Sequence, residues 1–127
     1  MVPDELHYTQ EHEWVESTAA DTVRVGITDY AQSQLGDVVF VQLPAAGEKV
    51  APGAAVGEVE STKSVSDVFA PLAGEVMARN EGLDSTPELL NSDPYGAGWM
   101  IEIRVDDPSA VDSLLSAADY RSLIEQA

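Results

Sequence analysis

The chain has 127 residues, no cysteine and 23 acidic against 6 basic side chains, so its formal charge at pH 7 is −17. This length is typical of one compact domain spanning residues 1–127, and the lack of cysteine excludes disulfides and thiolate chemistry. The acidity argues against nucleic acids and anionic membranes as partners.

Two stretches in the first half of the chain predict strands. Apolar and polar residues alternate over residues 23–27, and an apolar run covers residues 38–43. Between them, Thr28 or Asp29 can cap a short helix, and Gly36 supplies its stop.

Further strands are predicted at close spacing in the rest of the chain. They cover residues 55–60, 64–69, 74–80 and 99–105. Close spacing with glycine and proline between strands indicates a β sandwich or flattened barrel. Thr86 can cap a short helix that has Pro87 at its first position.

The chain ends in two predicted helical segments, over about residues 108–126. Asp107-Pro108 opens the first segment, and Ser116 can cap the second. The apolar faces of both segments are expected to pack against the sheet. A helix that docks on a partner protein is the alternative.

Lys63 is one of two lysines in the chain and lies between the strands predicted at 55–60 and 64–69. The small polar residues around it predict a hairpin turn that presents the amine at its tip. An amine held there, without bulky neighbours, suits an enzyme that docks on the hairpin and acylates it. An ordinary solvated turn lysine is the alternative.

Several separate blocks of the chain are similar, in order, to one known family. Around the lysine they are Glu60-Ser61-Thr62-Lys63-Ser64, Ser66-Asp67 and Phe69-Ala70-Pro71-Leu72-Ala73-Gly74-Glu75-Val76. Elsewhere they are Tyr8-Thr9, Glu11-His12-Glu13-Trp14, Gly26-Ile27-Thr28-Asp29-Tyr30-Ala31-Gln32, residues 35–44, Asn91-Ser92-Asp93-Pro94-Tyr95-Gly96 and Gly98-Trp99. From about Leu6 to the last helix, the chain resembles the glycine cleavage system H protein family. Thr62 and Ser64 stand where many members carry Val and Ala, and both keep the turn small.

This resemblance implies a mainly β fold, a lipoyl/biotinyl-type barrel-sandwich hybrid with short flanking helices and a helical C-terminus. It also implies (R)-lipoate bound covalently to Lys63 through an amide. The recognition context for attachment would be Glu60, Ser61, Thr62 and Ser64. By the same resemblance, the chain is a noncatalytic carrier, and a monomer is the default expectation for such a shuttle.

The resemblance also implies the partners. A pyridoxal phosphate-dependent glycine decarboxylase (P protein) transfers the aminomethyl group of glycine to a lipoyl sulfur. A tetrahydrofolate-dependent aminomethyltransferase (T protein) takes the one-carbon unit, and dihydrolipoyl dehydrogenase (L protein) reoxidises the dithiol. A lipoyl- or octanoyl-attaching enzyme modifies the lysine. Tethering raises the local concentration of the arm at each docked site.

Glu13 and Asp67 match family positions associated with a cleft that shelters the arm. An aminomethyl thioether breaks down when its nitrogen lone pair expels the thiolate, and a protonated amine has no free lone pair. Because a nearby carboxylate favours the protonated amine, these two residues, with the 28–35 segment, are expected to slow the loss of the cargo. The alternative is two solvated surface acids.

No catalytic or metal-binding constellation is expected. His7 and His12 lie near Glu11 and Glu13, but a strand would place His12 on the face opposite the two acids. Other classes stay open: a lipoyl or biotinyl carrier domain of another multienzyme complex, an unmodified interaction domain, or a small enzyme. Biotin carriers typically place Met on both sides of the lysine, unlike this chain.

The chain is expected to be cytoplasmic, because it lacks an apolar run of bilayer length and starts with acidic residues. Its acidity fits electrostatic steering toward basic surfaces of partner proteins, and equally well a device for solubility.

Overall fold

The computed structural model describes residues 2–126. Its strands are β1 His7–Tyr8, β2 Glu13–Ala19, β3 Thr22–Ile27, β4 Val38–Gln42, β5 Lys49–Val50, β6 Ala55–Ser61, β7 Val65–Phe69, β8 Gly74–Arg79 and β9 Ile101–Val105. Its helices are α1 Asp29–Leu35, α2 Gly82–Ser85, α3 Leu89–Ser92, a 3-10 helix Pro108–Ser113 and α4 Ala117–Glu125.

The strands form two antiparallel sheets, which confirms the predicted mainly β architecture. The larger sheet has the order β1-β2-β3-β9-β8-β5, and the smaller has the order β4-β6-β7. Leu43 and Val56 pack against the buried residues of both main core clusters, one built largely on each sheet. The alternating apolar residues therefore meet between the sheets, as in other sandwiches.

Helix α1 begins and ends where the sequence predicts. The Thr28 hydroxyl accepts a hydrogen bond from the Ala31 amide at 3.2 Å, which caps the first turn. Gly36 follows the last turn with a φ of 81°, a left-handed conformation that favours glycine. Its amide donates to the Gln32 carbonyl at 3.0 Å.

The predicted cap at Thr86 is wrong. Thr86 instead ends α2, and its amide donates to the Gly82 carbonyl at 2.9 Å. The residue before a proline is driven out of the helical region, and Thr86 accordingly has a φ of −134° and a ψ of 66°. The next helix, α3, begins three residues later at Leu89 without a side-chain cap.

The C-terminal helix α4 packs against the start of the larger sheet. Ser116 caps it by accepting from the Asp119 amide at 3.1 Å. The Tyr120 ring stacks on the Tyr8 ring with centroids 4.6 Å apart, and both side chains are fully buried. The segment before α4 is also helical, as predicted, and winds as a 3-10 helix over Pro108–Ser113.

Within residues 2–126, no helix has the length and apolar character required to span a membrane.

Candidate functional site

Lys63 lies in the turn between β6 and β7, and the side chain of Ser61 organises this turn. The Ser61 hydroxyl accepts from the Lys63 amide at 3.3 Å and from the Ser64 amide at 3.1 Å. The Ser61 amide also donates to the Ser64 carbonyl at 2.8 Å. Ser61 is buried while Thr62 and Lys63 are exposed, so a buried hydroxyl holds the backbone of an exposed turn.

The lysine turn rests on the end of α1. The Thr62 amide donates to the Asp37 carbonyl at 3.0 Å. A Cβ added at Gly36 would lie 3.2 Å from Cε of Lys63, so the lysine stem passes close over this glycine. Across residues 2–126, the ion pairs do not include the Lys63 ammonium. The Lys63 side chain is exposed.

Asn91 ties together three segments beneath this turn. Its side-chain amide donates to the Gly36 carbonyl at 2.8 Å and to Oε1 of Gln32 at 2.9 Å. Its side-chain oxygen accepts from the Val38 amide at 2.9 Å. Asn91 therefore joins α3 to the end of α1 and the start of β4, where the lysine turn is supported.

We expect Asn91→Ala to lower the free energy of unfolding by about 2 kcal/mol, since it removes three hydrogen bonds at a half-buried site. Urea denaturation measures this change. Ser92→Ala, at an exposed position of the same helix, is the matched control and should stay within about 0.5 kcal/mol of the parent. Equal stability of both variants would contradict the role assigned to Asn91.

A cleft of about 420 Å³ opens beside the lysine turn. Its walls come from the turn before β2, from α1 and from β7; they include Glu11, His12, Glu13, Tyr30, Ala31, Leu35, Ser64, Val65 and Asp67. Of the residues predicted for the site, the structure brings Glu13, Asp67 and Ser64 to this cleft. Lys63, Glu60, Ser61 and Thr62 are not part of its lining.

Glu13 is the buried acid of the cleft, with 2% of its surface exposed. Burial raises its pKa to about 7, although hydrogen bonds from the Phe69 amide (2.8 Å) and the Thr9 hydroxyl (3.0 Å) favour the carboxylate. The description as a solvated surface acid is therefore wrong for Glu13. Asp67 is exposed, so the two acids differ in environment.

His12 does not lie on a strand, so the reason given for excluding metal at this position is wrong. It occupies the turn before β2 with a φ of 70°. Its Nδ1 lies 2.9 Å from the Tyr120 hydroxyl, which is 2.7 Å from the Thr28 hydroxyl. Burial lowers the pKa of His12. The part of the chain that the structure describes contains no group of three or more potential metal-ligating His, Cys, Asp or Glu residues.

Sequence reasoning missed the part that Tyr120 and Asn91 play in this site. Tyr120 connects α4 to His12 and to Thr28, the cap of α1, so the C-terminal helix supports one wall of the cleft. Its spacing in the chain indicates only an apolar helix face. Asn91 lies within a block shared with the resembled family, but nothing in its neighbours signals its three partners.

Comparisons with known proteins match nearly the whole chain and find the same kind of protein each time. A family model described as glycine cleavage H-protein matches residues 6–127. Proteins called glycine cleavage system H protein are similar to the chain: one from Mycobacterium bovis BCG Pasteur is 58% identical, and one from Mycobacterium avium is 56% identical. Each alignment covers 98% of both sequences.

A solved structure is similar to the whole chain as well. It is the crystal structure of a glycine cleavage system H protein from Mycobacterium marinum, with 42% identity and a TM-score of 0.89. The match covers 98% of this chain and 99% of that one.

Proposed function

This chain belongs to the glycine cleavage H-protein family, and from that membership we propose that it is a lipoylated, noncatalytic carrier of the aminomethyl group of glycine. Lipoate would be joined by an amide to Lys63. The observation that supports this proposal best is the position of Lys63, exposed on a serine-braced turn beside a cleft with a buried acid.

The residues around Lys63 fit covalent attachment of a long arm. Ser61 fixes the backbone on both sides of the lysine, so an attaching enzyme meets a preorganised turn. The amine is exposed, and small side chains at Thr62 and Ser64 leave room around it. When bound, lipoate would supply a dithiolane that accepts the aminomethyl group and is regenerated by oxidation of the dithiol.

The cleft is proposed to hold the cargo amine as an ammonium ion. Glu13 faces the cleft with a pKa of about 7, so its carboxyl gives up a proton readily near neutral pH. A positive charge nearby favours the carboxylate, and Glu13 in turn favours the charged amine. Leu35 and Val68 provide an apolar wall that excludes water from the stem of the arm.

The proposed partners are those of the glycine cleavage system. The P protein loads the arm, the T protein unloads it, the L protein reoxidises it, and a lipoyl- or octanoyl-attaching enzyme installs it. The formal charge of −17 supports encounter with basic surfaces on these partners, at rates that fall with rising salt.

Glu13→Gln is expected to shorten the lifetime of the aminomethyl-loaded protein about tenfold at pH 8, since a hydrogen bond to a charged group contributes about 1.5 kcal/mol or more. Formaldehyde release measures the lifetime. Asp67→Asn, which alters the exposed acid of the cleft, should have a smaller effect. Unchanged lifetimes in both variants would remove the sheltering role of these acids.

The carrier function is tested by intact mass and by glycine-dependent exchange. The protein is incubated with lipoate and a lipoylating enzyme, then assayed with glycine decarboxylase for exchange of labelled bicarbonate into glycine. We expect a single lipoyl increment and exchange that depends on it. A biotinyl increment would favour a biotin carrier, and absence of modification would favour an unmodified interaction domain.

A further inference from the structure

The smaller sheet has an open outer face with apolar side chains close to the lysine turn. Phe40 is 55% exposed and Val65 is 58% exposed. Phe40 pairs with Glu60, and Glu60 pairs with Val65, so these side chains form one row across β4, β6 and β7. Val65 follows Lys63 by two residues, which places this row next to the lysine turn.

A β-bulge enlarges the apolar part of this face. The register of β4 shifts between Val38 and Phe40, which inserts Val39 as an extra residue. A bulge redirects side chains locally, and Val39 is accordingly 49% exposed beside Phe40. Exposed apolar groups of this size in a cluster are typical of protein interaction sites.

The second row of this face is polar and acidic. Gln42 pairs with Glu58, and Glu58 pairs with Asp67. The strands β4, β6 and β7 contain no lysine or arginine. A second copy of this chain would bring like charges together on such a face, so the occupant requires an apolar centre and basic residues around it.

We propose that this outer face, made of Val39, Phe40, Val65, Glu58, Glu60 and Asp67, is the docking surface for the enzyme that acylates Lys63. The inference rests on the proposed lipoylation of Lys63. An enzyme that encloses Lys63 must cover neighbouring surface, and Val65 and Glu60 belong to the strands that flank the turn. The recognition chemistry is an apolar pocket that receives Phe40, bordered by lysine or arginine side chains.

Single-residue variants test this surface through the rate of attachment. We expect Phe40→Ser and Val65→Ser each to lower kcat/KM for enzymatic lipoylation about tenfold, as truncation of a central apolar contact does at other interfaces. Met77→Ser is the matched control, because Met77 is 44% exposed on β8 in the other sheet. It should be modified at the parental rate.

A small acylating reagent shows whether a slower enzymatic reaction comes from lost docking or from a distorted lysine turn. N-hydroxysuccinimidyl acetate needs no docking surface, so it should acetylate Lys63 equally fast in all four proteins, as read by peptide mass. Parental rates of enzymatic lipoylation in Phe40→Ser and Val65→Ser would overturn the docking surface, as would an equal loss in Met77→Ser or slowed chemical acetylation. A parent protein that is never lipoylated would instead overturn the proposed function.

Discussion

Lys63→Arg is expected to abolish lipoyl attachment completely, whereas Lys49→Arg should be modified like the parent protein. Acylation requires a nucleophilic amine, and the guanidinium of arginine stays protonated and forms no stable amide under these conditions. Lys49 is also exposed but lies on the short edge strand β5, next to β8. Lys49 is therefore the matched control for Lys63.

Intact mass after incubation with lipoate and a lipoylating enzyme measures this difference. Arginine keeps the positive charge, and the turn itself is held by Ser61 through backbone contacts, so the substitution should leave folding unchanged. Attachment that persists in Lys63→Arg, or that disappears in Lys49→Arg, would contradict the assignment of the lysine.

Glu13 should make the protein less stable as the pH rises from about 4.5 to 7. Its pKa is near 4.5 in the unfolded chain and about 7 in the folded protein. Between these values the folded protein retains a proton that the unfolded chain has lost, so stability falls with rising pH and levels off above 7. A shift of this size corresponds to about 3 kcal/mol at a site that is 2% exposed.

Glu13→Gln should remove this dependence. Urea denaturation at pH 4, 6 and 8 gives the difference in unfolding free energy between variant and parent, and this difference should move in favour of the variant by about 3 kcal/mol across the range. The amide also changes hydrogen bonding to Thr9 and Phe69, but that effect is nearly constant with pH. Asp67→Asn is the control. A pH-independent difference for Glu13→Gln would refute the raised pKa.

Local signals in the sequence were sufficient for much of the fold. The strand at 23–27 has clear alternation, and α1 has both a capping residue and a glycine stop, so their positions follow from neighbouring residues. The cap at Thr86 was wrong because the same residue ends the helix before it. The strands β1 and β5 are two residues long and exist only through their partners.

The candidate site also contains some features that neighbouring residues predict and others that depend on distant parts of the chain. The sequence signal for the lysine turn is local, because the small residues next to Lys63 predict the turn directly. The environment of Glu13 is only partly local, because its carboxylate is held by the hydroxyl of Thr9, four residues away, and by the amide of Phe69, 56 residues away. Likewise His12 meets Tyr120 across 108 residues. Contacts of this kind depend on the folded arrangement, and no pattern of neighbours encodes them.

The separation between His12 and Tyr120 has a consequence for synthesis of the chain. The smaller sheet uses only residues 38–69, whereas the wall of the cleft needs residue 120 to reach back to residue 12. Closing a longer loop costs more entropy and is slower. On the ribosome, the hairpin with Lys63 can therefore be complete while the cleft wall is not. A nascent chain would offer its lysine to an attaching enzyme before it could shelter a loaded arm.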